Sequence, residues 1–441
     1  MLAAETPALL ALLLSLPTVA KVLGTLIIIL FLNWLLKNLL SAVIAGTLLL
    51  ALWLGHPLSA MASIAGRRFF TLDSLFLTVV FIEVIGLSSL MAGTGVMRDL
   101  VQSIQSRFSR RLSFAALPAV IGLLPMPGGA VFSAPLVESN DQDRRLTGLM
   151  KSQVNYWFRH IWEFWWPLYP GVILAMSLSG LEAWQFVLMQ APGTLVMAAS
   201  GYWFLLRRIP REKKDEPTAA GPKGQPLSLL LLPILIVVGV YIAIKLFLPS
   251  LAALSSYLPV GLGLLAAMIC LQAQRGMGLS DWRQALFTPQ AFSLALLVMV
   301  LRVYAAFIEA PLPGSRYPVE LMRAELASVG IPLLAVTVLI PLISGLTMGL
   351  AVGTVGASFP IALSLLGAHP PLADLLSTIA LVYGWGFVGM MLSPVHVCLI
   401  VTNDYFKSSL ARSLAGLLAP SACLLLALTL ISYLLKVFAP R

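Results

Sequence analysis

The run NYWFRHIWEFWWPLYPG, residues 155–171, places an amide, a guanidinium, an imidazole and a carboxylate among tryptophans. Arg159 and Glu163 are four apart, which on a helix puts them on one face and within pairing reach, with Asn155 one turn earlier. His160 lies about a quarter turn round, and imidazole is the side chain whose ordinary pKa falls near neutrality. It can therefore carry a coupling proton or serve as a satisfied structural histidine. A charge at mid-bilayer costs roughly 2.5–3.5 kcal/mol on insertion scales, so such groups face a protein interior. Trp157, Trp162, Trp165 and Trp166 offer a second reading, an interfacial belt whose charged neighbours snorkel to headgroups. The interior network is the expectation, because Pro167 and Pro170 break this helix. Further ionisable groups stand inside apolar runs: Glu83 in VVFIEVIGL, Arg302 in VMVLRVYAAF, and His396 in SPVHVCL. Glu83 and Arg302 are expected to pair across the molecule. The four histidines, at 56, 160, 369 and 396, are dispersed along the chain and give no compact catalytic set. Cys270, Cys398 and Cys423 have no metal-ligand spacing and read as small apolar residues.

Two interrupted stretches must position these groups. In LLPMPGGAVFSAP, residues 123–135, Pro125, Pro127, Gly128 and Gly129 stop a helix, since proline removes a donor and displaces the residue before it. In hydrocarbon a break survives only where protein or a water-filled cavity satisfies the freed backbone. A helix restarting near Ala130 aims its positive end and free amides at the gap, with Ser133 in its first turn. In the second stretch, residues 331–362, a helix beginning after Thr354 does the same, with Gly353 and Ser358 beside it. Such ends suit an anion. The hydroxyls of Ser344, Thr347 and Thr354 suit Na+.

The stretches also resemble each other. GGAVFSAP matches VGTVGASFP, with Gly129 opposite Gly353 and Pro135 opposite Pro360, and WWPLYPGVIL matches MLSPVHVCLI, with Pro167 opposite Pro394. Each is preceded by an apolar span and an arginine-bearing helix. Recurrence in fixed order marks an internal repeat: an N-terminal repeat at 1–206 with its broken element at 113–137, a linker at 207–226, and a C-terminal repeat at 227–441 with its broken element at 331–362.

The elements behind these motifs are membrane helices. The chain has 441 residues, 59% hydrophobic and only 10% charged, with mean hydropathy +0.94. That excludes a soluble globule. Apolar stretches at 19–36, 38–54, 72–94, 113–137, 156–178, 182–206, 227–248, 255–271, 287–309, 331–362, 372–402 and 409–437 predict about ten crossings plus two interrupted elements, an all-α polytopic fold. The net charge of +10 gathers in loops, where it marks the cytoplasmic side rather than a nucleic-acid surface. RRIPREKKDEPTAAGPKGQP, 207–226, is expected to be cytoplasmic. RDLVQSIQSRFSRR, 98–111, spaces Leu100, Ile104 and Phe108 as an amphipathic helix on the membrane surface. Counting from these loops runs 72–94 inward and starts the chain after 226 inside, so the halves have opposite topology. Arg67 and Arg68 then fall outside, against the rule. Residues 1–17 read as an uncleaved segment.

LLPMPGGAVFSAPLVE, NYWFRHIWEFWWPLYPG and MLSPVHVCLIVTNDYF resemble a bacterial and archaeal permease-like family of the ion transporter superfamily, whose relatives include gluconate, citrate and sodium-coupled dicarboxylate transporters. The resemblance implies two inverted repeats with re-entrant hairpins, a homodimer, and a moving transport domain. The serine-asparagine-threonine signatures of the dicarboxylate carriers are absent from both broken elements here.

The expected function is a secondary active transporter for a small organic anion, a carboxylate, driven by Na+ or H+ through elevator-type alternating access in a bacterial or archaeal plasma membrane. No other cofactor is expected. The alternatives are a cation/proton antiporter of the same architecture, an integral membrane enzyme using Glu163 and His160 as acid and base, and a channel. No phosphate-binding loop, zinc-type cluster or dinucleotide turn is present in the sequence. The expected binding residues are Pro127, Gly128, Gly129, Ser133, Gly353, Thr354, Ser358 and His396, with Asn155, Arg159, His160, Glu163, Glu83 and Arg302 as the charge network.

Overall fold

The computed structural model describes residues 15–105, 109–123, 125, 129–141, 145–209, 226–313, 316–367 and 370–438. The regular elements among them are helices. In the first half these are α1 (Thr18–Leu36), α2 (Leu39–Trp53), α3 (Leu58–Phe69), α4 (Leu72–Gly93), α5 (Val96–Gln105), α6 (Arg110–Ile121), α7 (Ala130–Asn140), α8 (Gly148–Arg159), α9 (Pro170–Ser179) and α10 (Ala183–Phe204). The second half contains α11 (Leu227–Phe247), α12 (Leu258–Arg275), α13 (Leu279–Leu286), α14 (Pro289–Glu309), α15 (Pro318–Ser328), α16 (Leu333–Met348), α17 (Ala351–Ser364), α18 (Leu372–Met391), α19 (Val397–Tyr405) and α20 (Leu410–Phe438). Local chemistry sets the starts. Asn38, Thr71, Thr147 and Thr288 cap α2, α4, α8 and α14 by accepting from the amides of Ser41, Ser74, Met150 and Ala291, each answering a donor the helix leaves unpaired.

The protein is an all-α polytopic membrane protein. Among the described residues, seven helical segments are long and apolar enough to cross a bilayer: α1, α4, α11, α12, the α13–α14 run, α18 and α20. A further pair, α15 and α16, bends by 109° and is a broken span or a re-entrant loop. This is fewer than the expected ten, because several expected spans are half-length helices joined at breaks. The stretch 113–137 is α6 and α7, 156–178 is α8 and α9, and 331–362 is α16 and α17. In each, proline or glycine interrupts the hydrogen-bond ladder.

The broken helices cross-pack between the halves: α7 lies on α19, and α9 lies on α17. A core formed by Phe114, Tyr156, Trp157, Phe164, Met197, Phe387 and Leu399 surrounds the α8 and α19 ends, and a larger core unites the remaining helices. The amphipathic α5 turns Leu100 and Ile104 into that larger core, and its Asp99 pairs with Arg275 of α12. Its apolar side is therefore taken by protein, not by headgroups as expected. Most of the basic linker, 210–225, lies outside the described residues.

Candidate functional site

The first break is held by aromatic donors. After α8 the chain turns through residues 160–169 before α9, and this irregular segment lies over the end of α6. Trp162 Nε1 donates to the Ala119 carbonyl at 2.8 Å and Trp166 Nε1 to that of Leu123 at 3.0 Å. Tyr169 Oη donates to the carbonyl of Gly122. Proline and glycine freed these carbonyls, and in an apolar setting each must find a donor. The tryptophans are thus interior staples. Trp157 is fully buried.

The titratable groups converge at the end of α8. Arg159 is its last residue and is buried, so the expected helix-face pairing with Glu163, four residues on, has no helix to stand on. Its guanidinium lies against Gly129, the N-cap of α7, where an added Cβ would collide with it. Its Nη1 also approaches Cys398 Sγ at 3.3 Å. His160 Nδ1 is 2.6 Å from the Tyr156 carbonyl, and its Nε2 is 3.9 Å from Glu163 Oε2. The His160 and His396 rings are 5.0 Å apart, edge to face. Asn155 Nδ2 donates to Thr402 Oγ1 at 3.1 Å, while Asn155 Oδ1 and Glu163 Oε2 are buried without a hydrogen-bond partner. Ser133, in the first turn of α7, is buried with its hydroxyl unpartnered. Pro127 and Gly128 lie outside the described residues.

The second break is held by close backbone packing. Gly349 ends α16 in the left-handed region at φ +60° and abuts the His396 amide, so a Cβ there would lie 2.9 Å from His396 N. Gly345, Gly386 and Gly389 let α16 and α18 touch backbone to backbone, as small residues do in membrane helix pairs. The helix restarts at Ala351, not after Thr354, because Gly349 supplies the αL cap. Gly353, Thr354 and Ser358 therefore lie inside α17, all buried. Thr354 Oγ1 bonds the Leu350 carbonyl and Ser358 Oγ that of Thr354. Thr347 bonds the carbonyls of Ile343 and Ser344 on its own helix. Of the hydroxyls expected to hold Na+, only Ser344 is buried and unpartnered.

Glu83 and Arg302 do not meet. Arg302 Nη1 donates to Ser74 Oγ at 2.9 Å, whereas Glu83, nine residues further along α4 and so about 13 Å up its axis, faces Gly261 of α12. Arg302 instead lines a cavity of about 240 Å³ with Arg68, Asp73, Tyr257, Ser177 and Pro167, which reaches the turn after α8. Arg68, the arginine on the unexpected side, pairs with Glu309 at 3.0 Å. Beside the site, buried Lys151 joins α8 to Asp141 at 2.8 Å and Glu138 at 2.9 Å. Burial pushes the Asp141 carboxyl up, but hydrogen bonds from Lys151 and the amides of Leu146 and Arg145 hold it below its ordinary value.

Sequence reasoning missed Cys398, Tyr156 and Thr402. It also took the histidines as scattered, yet His160, His396 and Cys398 bring their ligand atoms within 4.8 Å of one another. The available signal was HVC two residues after Pro394, where an irregular stretch enters α19 and side chains can converge.

The sequence matches the family described as Protein of unknown function (DUF401) over residues 9–436, and the chain belongs to that family. No curated protein matches it. Among solved structures it is similar to MtrF of Neisseria gonorrhoeae, described within a class of antimetabolite efflux pumps, with a TM-score of 0.54 at 13% identity over 86% of this chain and 84% of that one. At that identity the likeness is one of fold.

Proposed function

We propose that this DUF401 protein is a secondary active transporter of the ion transporter superfamily, and not an enzyme, carrying a small organic anion, most simply a carboxylate, coupled to Na+ or H+. One observation carries the reading. The buried Arg159 guanidinium lies against the N-cap of α7, so a fixed cation and the positive end of a helix dipole face the same point. A guanidinium beside the positive end of a helix favours an anion, and the first-turn amides of α7 with Ser133 Oγ supply hydrogen bonds for one. The likeness of fold to an efflux pump supports transport in general.

The crossed packing of α7 on α19 and α9 on α17 supports two related, inverted halves sharing one site. In this reading the broken helices α6–α9, α16, α17 and α19, with the spanning α18, carry the anion across as one elevator-type body, against α4, α11, α12 and α14 in a homodimer. In the proton-coupled reading His160, with Glu163 Oε2 3.9 Å from its Nε2, carries the coupling proton. The cation/proton antiporter is the second reading, favoured by the unpartnered oxygens Asn155 Oδ1, Glu163 Oε2 and Ser344 Oγ.

Purified protein in liposomes, given a panel of labelled carboxylates under an imposed sodium or proton gradient, tests both. Gradient-dependent uptake is expected. Uptake indifferent to both gradients removes the coupling, and no uptake across the panel removes the substrate class. Stabilisation by Na+ or Li+ alone, with no carboxylate response, selects the antiporter.

A further inference from the structure

We propose that His160, His396 and Cys398 form a binding site for a single thiophilic cation of the Zn2+ class. The three residues sit on two elements, His160 in the turn after α8 and the others at the start of α19, and all are buried with one ligand atom each within 4.8 Å of the others. Tetrahedral zinc holds nitrogen at about 2.0–2.1 Å and sulphur at about 2.3 Å, which puts ligand atoms about 3.3–3.7 Å apart. Closing the cluster onto an ion therefore takes inward shifts of roughly an ångström, within the reach of side-chain torsions.

The hydrogen bonding prepares the ligands. A carbonyl only accepts, so the 2.6 Å contact from His160 Nδ1 to the Tyr156 carbonyl places the proton on Nδ1 and leaves the Nε2 lone pair for an ion. This is the outer-shell arrangement that orients metal-bound histidines. His396 Nδ1 is buried with no hydrogen-bond partner, although His396 hydrogen-bonds the Met390 main chain. A buried nitrogen left unpaired calls for an explanation, and a bound cation supplies one. A metal takes Cys398 as its thiolate, releasing the thiol proton, and the Arg159 guanidinium 3.3 Å from Sγ faces that charge. Two imidazoles and a thiolate are a soft donor set that favours Zn2+, Cd2+ or Cu+ over Na+, Mg2+ or Ca2+. The site is therefore distinct from a Na+ site, and with the cation bound His160 Nε2 carries no coupling proton. Three protein ligands leave a fourth position open, with Glu163 Oε2, 3.9 Å from His160 Nε2, next in reach. A cation there pins the turn after α8 to α19; its bearing on transport rests on the proposed function, whereas its existence does not.

The full-length protein, stripped of metal and titrated with Co2+ in detergent, tests the site. One Co2+ per chain is expected, with a thiolate-to-cobalt charge-transfer band displaced by Zn2+ or Cd2+. The band should vanish in Cys398→Ser and persist in the Cys270→Ser/Cys423→Ser double variant, while His160→Gln and His396→Gln should each weaken Co2+ binding by tenfold or more. Because Cys398→Ser can disturb folding, X-ray absorption of the zinc-loaded wild type gives an independent count, expected to be one sulphur and two imidazole nitrogens. No charge-transfer band, a band surviving Cys398→Ser, or a zinc shell without sulphur overturns the proposal. Uptake is read separately: metal binding without carboxylate uptake removes the transport reading alone, and uptake without metal binding removes this site alone.

Discussion

The two breaks solve one problem by different chemistry. In the first half, side chains satisfy the interrupted backbone: Trp162, Trp166 and Tyr169 reach back to the end of α6, and charged groups fill the space between. In the second half the backbone is brought close to itself, through Gly345, Gly386 and Gly389 and the left-handed Gly349, with Thr347, Thr354 and Ser358 bonded within their own helices and Ser393 reaching the Leu346 carbonyl. The first break therefore holds the chemistry, and the second holds the packing. His396 and Cys398 are where the second half lends ligand atoms to the first. Two segments with matching sequence punctuation thus need not share a role.

The largest expected effect tests that division directly. Arg159→Lys keeps a charge but loses the planar fork, and losing a buried charge-assisted contact costs about 2–5 kcal/mol. Carboxylate uptake in liposomes should fall roughly thirtyfold or more. Thr354→Val in the second break, which removes only a hydroxyl already bonded to Leu350, should cost uptake much less. Equal losses would erase the distinction.

Stability should divide the same way. Lys151→Met takes the cation from Asp141, 1% exposed, leaving it the amides of Arg145 and Leu146, and breaking a buried pair from one side costs about 3–5 kcal/mol. Detergent melting should show it as the largest drop among the variants. Gly349→Ala forces a side chain into left-handed backbone against the His396 amide, a strain of about 1–3 kcal/mol. By contrast Gly129→Ala meets side-chain atoms, the Arg159 guanidinium, rather than backbone, so it should melt above Gly349→Ala while losing uptake. Similar melting losses for both glycines would mean the first break is also a packing device. Trp166→Phe, which leaves the Leu123 carbonyl unsatisfied, should cost about 1–3 kcal/mol; its counterpart in the second half is the smaller Ser393, whose hydroxyl donates to the Leu346 carbonyl at 2.7 Å.

Much of the framework was legible because helix-breaking is local. Pro167, Pro170 and the restart at Ala130 follow from residue chemistry within a turn, and apolar length identified the membrane class. What was hidden depends on contacts far apart in the chain. Arg159 meets Cys398 across 239 residues, and neither periodicity nor spacing reports that. The Arg302 and Glu83 expectation failed for a related reason. Their comparable places in two spans fixed their order but not their height, and Ser74 captured the arginine lower on α4. The restart of α17 was misplaced because Gly349, with no proline beside it, looked like one glycine among many.

The smallest expected effect separates both breaks from the rest of the fold on the pH axis. His56 lies in the loop between α2 and α3, buried against Phe307, and burial holds its imidazole below the ordinary value of 6.5. As pH falls through 6.5 the unfolded chain binds a proton that the folded chain refuses. Stability is therefore complete above 6.5 and declines below it until the folded value is passed. Asp141, whose carboxyl also lies below its ordinary 3.8, has the same sign but acts only at lower pH, where protonation removes its pairing with Lys151. Melting of the wild type from about pH 7.5 to 5.5 should thus decline modestly. His56→Phe, an apolar ring placed beside Phe307, should flatten that window and leave the steeper loss near pH 4 to Asp141. A decline that persists in His56→Phe would assign the mild acid sensitivity to the histidines of the breaks instead, and would make the first break a proton-sensitive element in stability as well as in transport.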